Sequence, residues 1–175
     1  MFTVKTTYDL KALTIMARAL RKTLRKGRSI FNRIFAFAVI VALLFIVVGY
    51  FLIGEVAENL STLAFDVGII VLLLLIMLME DTLSGWIAGK QMPPVARDGE
   101  TTFEADSYTT TTAAVTSTWT YGQIVAVCET EEYIVFFLSK KHGQIFSRKG
   151  LQDGNWQDFR NFIMEKTGKT IQYIK

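Results

Sequence analysis

Two apolar runs set close together near the N-terminus constrain this chain more than any other feature. Phe35 to Ile53 reads FAFAVIVALLFIVVGYFLI, 19 residues without a charge. At about 1.5 Å per residue, a helix of that length covers roughly 28 Å, close to the apolar core of a bilayer. Core helices of soluble proteins rarely stay uncharged for so long. The second run, Val67 to Met79, is only 13 residues. It reaches spanning length when extended back to Leu60, which takes in Ser61, Thr62 and Asp66. Asp66 then lies near an interface, where a carboxylate is ordinarily solvated; at the bilayer centre it would mark function. Glu80 and Asp81 close the run.

Between the runs, Gly54-Glu55-Val56-Ala57-Glu58-Asn59 forms a short polar hairpin, so the helices are expected to be antiparallel neighbours. Nine basic residues and one acid, Asp9, lie between Met1 and Arg33, whereas the hairpin carries Glu55 and Glu58 and no base. The Lys/Arg bias predicts a two-pass protein of the cell membrane with both termini cytoplasmic. The basic stretch is too long for a signal peptide. The single Cys128 excludes an internal disulfide framework, and with one His a zinc site has too few ligands. A net charge of +3 is too mild to argue for nucleic acid.

The arm before the first run opens on Phe2 to Thr6, alternating and β-branched, which predicts a short strand. Thr6 or Thr7 is then expected to cap a helix with Asp9 in its first turn. Leu10, Leu13, Met16, Ala17, Leu20 and Leu24 follow at helical spacing, with bases mostly on the other side. This basic amphipathic helix has three readings. It could lie on the inner leaflet, pack on the C-terminal domain, or simply enforce topology. Arg18, Arg21, Lys22, Arg25, Lys26 and Arg28 are the candidate membrane-surface residues.

Beyond Asp81 the helix can continue to Gly89, with Trp86 suited to an interface. Pro93-Pro94 ends it. The remainder predicts strands at Thr101–Ala105, Tyr108–Thr118, Ile124–Cys128, Tyr133–Leu138 and Gln144–Ser147. A helix follows at Trp156–Lys166, capped by Asn155, and a last strand at Thr170–Ile174. The expected fold class is membrane α+β: a transmembrane helical hairpin with a small antiparallel-sheet, pleckstrin-homology-like (PH-like) cytoplasmic domain closed by a C-terminal helix. The predicted segments are 1–33 (β segment and basic helix), 34–54 (first span), 55–59 (external hairpin), 60–79 (second span), 80–98 (helix extension and linker) and 99–175 (cytoplasmic domain). About 75 residues make a marginal core, and the N-terminal strand, on the same side of the membrane, could join the sheet.

The order of features resembles the YcxB-like family of bacterial membrane proteins. The residues that carry the resemblance are the helix opening Thr6-Thr7-Tyr8-Asp9-Leu10, then Trp119, Ile124, Glu129-Thr130-Glu131, the strand Tyr133 to Leu138, and Phe146-Ser147-Arg148-Lys149. The family usually has a Pro and a basic residue after that last strand; here the Pro is missing. The resemblance implies a PH-like cytoplasmic domain and transfers no catalytic residue.

No catalytic set, metal site or cofactor motif emerges, so a non-enzymatic protein without cofactors is expected. His142 reads as an exposed turn residue, and Cys128 as a small buried side chain. Glu129, Glu131 and Glu132 read as a polar turn. Lys140, Lys141, Arg148 and Lys149 flank one hairpin and are the candidate residues for binding an anionic ligand or partner. The expected function is a membrane protein presenting a cytoplasmic module for protein or anionic-lipid binding. Its partners are the lipid bilayer and either a protein or further copies of itself, with no nucleic acid. The alternatives are a membrane immunity protein that neutralises a toxin, or a subunit of an oligomeric transporter that uses Asp66.

Overall fold

The structure, a computed structural model, describes residues 1–54 and 56–174; Glu55 of the predicted hairpin and Lys175 lie outside the described residues. The chain divides into two compact units, Lys26–Glu80 and a larger one made of Met1–Arg25 together with Asp81–Lys175.

Helix α1 (Leu10–Lys22) belongs to the larger unit. The smaller unit holds α2 (Lys26–Ile53) and most of α3 (Leu60–Gln91), both long and apolar enough to cross a membrane. Their large side chains point outward; Phe45 is 75% exposed and Leu52 and Leu78 are each 82% exposed. Surfaces of that kind suit lipid and not water. Ile40 and Ile70 are buried. Near the end of the pair, Arg33 Nη2 stands 3.5 Å from Glu80 Oε2, and the Ser29 hydroxyl donates to Glu80 at 3.5 Å. Asp66 is also buried, at 8% exposure.

The larger unit is built from both ends of the chain. Strand β1 (Phe2–Thr7) pairs antiparallel with β2 (Asp98–Phe103), which continues into β3 (Ser107–Thr112) and β4 (Thr116–Thr120) as a meander. A second sheet runs β7 (Gly143–Ser147), β6 (Tyr133–Phe137), β5 (Ala126–Glu129), β8 (Ile171–Tyr173); β8 is parallel to β5, the other pairs antiparallel. Helix α4 (Trp156–Thr167) starts at Asn155, whose side chain accepts from Asp158 N, and ends on Gly168 in the left-handed conformation.

The sheets enclose one core. Val4, Phe103 and Tyr108 from the first sheet meet Val127, Ile134, Phe136 and Phe146 from the second, with Trp156, Phe159 and Ile163 of α4. The Phe103 and Phe159 rings lie 4.9 Å apart, edge to face. Strand β1 is the seam. Val4 forms an antiparallel bridge to Leu151, Ser147 N donates to the Thr6 hydroxyl at 3.1 Å, and Gln152 N donates to Thr3 O at 2.9 Å. A Cβ on Gly150 would overlap the Lys5 carbonyl, so that position has room only for glycine.

The run Tyr108–Thr118 is two strands, not the one its β-branched composition predicts. The Thr112 hydroxyl accepts from Ala114 N and Val115 N and donates to Val115 O, closing a turn without Gly, Pro, Asn or Asp. Helix α1 is capped by Asp9 itself and not by Thr6 or Thr7: its Oδ1 accepts from Ala12 N at 2.7 Å. Thr6 and Thr7 are still in β1.

Candidate functional site

The outer face of the second sheet explains α1. Every residue of β6 is buried, although only alternate ones face the core. The others, Tyr133, Val135 and Phe137, join Cys128, Ile145 and Ile174 in a second cluster closed by Ala12, Ala19, Ile15, Met16 and Leu20. The apolar face of α1 therefore lies on the domain and not on a leaflet. Burial pushes the Cys128 thiol up to about 11, against a hydrogen bond with Thr23. A thiol so placed is a poor nucleophile.

Opposite this face, α1 meets the last turns of α3. A Cβ on Gly85 would come within 2.7 Å of Thr14 N, and one on Gly89 within 3.2 Å of the Leu13 side chain. Gly85 and Gly89 are spaced as small-xxx-small, which lets helix backbones approach closely. Their i, i+4 spacing was the available signal. Arg21 grips Asp81 there with two 2.6 Å hydrogen bonds, and Arg18 Nε lies 3.5 Å from the same carboxylate. Burial raises the proton affinity of Asp81, but the Arg21 hydrogen bonds and the two guanidinium charges outweigh it and hold its carboxyl below the usual range. Arg18 and Arg21, two of the candidate membrane-surface bases, thus pair with Asp81 within the domain. Lys22 and Arg25 are exposed, as are Lys26 and Arg28 on the first turn of α2.

The Glu-Thr-Glu turn is a structural junction. Glu129 accepts from Trp156 Nε1 at 2.9 Å and from Arg160 Nε at 2.8 Å, fixing α4 on β5. Thr130 closes the turn, its hydroxyl accepting from Tyr133 N at 3.1 Å. Glu132 pairs with Lys11 of α1 and lies 4.0 Å from Lys149. Sequence reasoning reads these residues as a solvated turn; the Glu129 anchor needs α4 in place to be seen.

The four candidate bases of the β6–β7 hairpin do not form one group. The ladder runs from Phe137↔Gly143 to Tyr133↔Ser147, so Lys140 and Lys141 at the tip are separated from Arg148 and Lys149 by about 13 Å of strand. The Arg148–Lys149 end is charge-compensated by Glu132, and Arg148 sits 5.7 Å over the Trp156 ring. The tip differs. Arg25 Nε donates to the Lys140 carbonyl at 3.0 Å, which places a third cation beside Lys140 and Lys141. None of these three has an ion pair among the described residues. The His142 ring, exposed as read, stands edge-on 5.1 Å from Trp119. Arg25 immediately precedes Lys26, the first residue of α2.

The class is now defined: a membrane-type α+β chain in which a hairpin of long apolar helices separates the first strand of a two-sheet domain from the rest. Residues 103–163 match the family model described as YcxB-like protein, about a third of the chain, and to that extent the chain is similar to that family. The match runs from the end of β2 to α4 and holds Trp119, the Glu129 junction and the β6–β7 hairpin. No curated protein and no solved structure matches the chain.

Proposed function

We propose that this chain is a non-enzymatic, two-pass protein of the cell membrane with both termini cytoplasmic. Its larger unit acts as a PH-like module that binds anionic lipid headgroups. A four-stranded meander, a three-stranded meander and then a helix packed on the core support the PH-like reading, to which β8 adds a parallel strand after α4. The basic arm before α2 supports the orientation. The observation that carries the binding reading is the Arg25 hydrogen bond to Lys140, which gathers Arg25, Lys140 and Lys141 one residue before the first apolar helix. Bases near an anionic surface contribute on the order of 1 kcal/mol each.

The test is lipid capture. Full-length protein is reconstituted into vesicles of mixed neutral and anionic lipid and re-extracted in mild detergent, and retained lipid is identified by mass spectrometry. Anionic lipid should be enriched on the native chain. A Lys140→Glu, Lys141→Glu variant should lose about tenfold or more of that enrichment, and a Lys149→Glu variant should keep it. Equal retention by all three would remove the hairpin tip as the site.

A further inference from the structure

The first sheet ends on an open edge. Strand β4 pairs with β3 on one side and with nothing on the other among the described residues. Natural edges are usually protected by Lys, Pro, a bulge or a covering element. Thr116-Ser117-Thr118-Trp119-Thr120 has none of the protecting residues. Thr112 N donates to Val115 O, so by alternation Ser117 and Trp119 also bond towards β3. The N–H and C=O groups of Thr116 and Thr118 therefore face outward, while Thr120 N donates to the Gln123 side chain at 3.3 Å.

We infer that β4 pairs antiparallel with β4 of a second copy of this chain, about a two-fold axis at Ser117. The register is self-complementary. Thr116 exchanges backbone hydrogen bonds with Thr118 of the second copy, and the reverse. Their outward side chains extend the threonine ladder already present, in which Thr109 and Thr118 hydroxyls lie 3.0 Å apart. Ser117 meets its own copy at a non-hydrogen-bonded position, where side chains are closest and a small residue fits. Val115, an apolar residue left 57% exposed, gains Trp119 of the second copy as its cross-strand neighbour. With no charge on the strand, pairing sets no like charges opposite each other.

Cysteine crosslinking tests this on the full-length protein in its membrane. Directly opposed residues at such a position have Cα atoms about 4.5 Å apart, within disulfide range. Mild oxidation should convert Ser117→Cys to a disulfide-linked dimer at least about tenfold more than Glu100→Cys, which lies on the interior strand β2. Adding Thr118→Pro, which removes an outward N–H without touching the β3 ladder, should abolish the crosslink. Adding Thr116→Lys and Thr118→Lys should do the same by opposing like charges, and serves if the proline variant fails to fold. Equal crosslinking at Ser117 and Glu100, a dimer that survives both additions, or a Ser117→Cys adduct to a different protein would each overturn the inference.

Discussion

Arg21 of α1 and Asp81 of α3 are sixty residues apart in sequence and joined by two 2.6 Å hydrogen bonds. The apolar helical hairpin lies between them in the chain. The pair sits where the larger unit hands the chain out and takes it back, and both side chains are largely buried, at 17% and 14% exposure. It fastens the N-terminal part of the domain to the segment that follows the hairpin.

The linkage to pH follows from Asp81. Its carboxyl is held lower when folded than when unfolded, so its contribution is full above the unfolded value, about 3.9, and is lost as pH falls through the folded value. Asp81→Asn should destabilise the detergent-solubilised protein at pH 7, and the gap from the native chain should close as the pH falls below about 4. Thermal unfolding across that range reads it; a gap independent of pH would contradict the assignment.

Gly85 should tolerate no larger side chain. Valine there would drive its Cβ into the Thr14 backbone, and forced overpacking typically costs about 1–3 kcal/mol. Gly68, with open space around its Cβ position, should accept alanine without loss. Comparing the melting temperatures of Gly85→Val and Gly68→Ala checks the close α1–α3 crossing.

Glu129 is the anchor of α4. Glu129→Ala leaves Trp156 Nε1 and the Arg160 guanidinium without their acceptor, and hydrogen bonds to charged groups are worth about 1.5–3 kcal/mol. Glu131→Ala, two residues on and exposed, should fall within about 0.5 kcal/mol of the native chain. Amide exchange in α4 should accelerate in the first variant only.

Cys128 should resist thiol reagents while the domain is folded. With its thiol pushed up to about 11, the thiolate fraction at pH 8 is roughly a hundredfold below that of an ordinary cysteine near 8.5–9. Labelling should accelerate by at least that factor in denaturant. Rapid labelling of the native protein would mean that α1 does not stay on the sheet.

The parts of this fold written in local pattern were legible. Phe35 to Ile53 lacks charge for a full bilayer width, and Trp156, Phe159 and Ile163 repeat at helical spacing behind an Asn cap. The β3–β4 turn was hidden because the Thr112 hydroxyl does the work usually done by Gly or Asn. The seat of α1 was undecidable from sequence, since an apolar stripe opposite bases suits a leaflet as well as a sheet. The decisive fact is non-local: Tyr133, Val135 and Phe137 need cover on the side away from the core. The candidate basic site separated for the same kind of reason. Residues on both sides of a hairpin are near in sequence, yet the tip and the strand ends are opposite extremes in space.

The central claim is that one domain is assembled from Met1–Arg25 and Asp81–Lys175. Its most direct test is to express residues 81–175 alone, and the same segment with residues 1–25 joined ahead of it by a flexible Gly/Ser linker, and to follow denaturant unfolding of both. The joined form should be soluble and unfold in one cooperative transition, because it regains Val4 in the core and α1 over the second sheet. Residues 81–175 alone should show no such transition. Equal cooperativity and stability of the two forms would contradict the account.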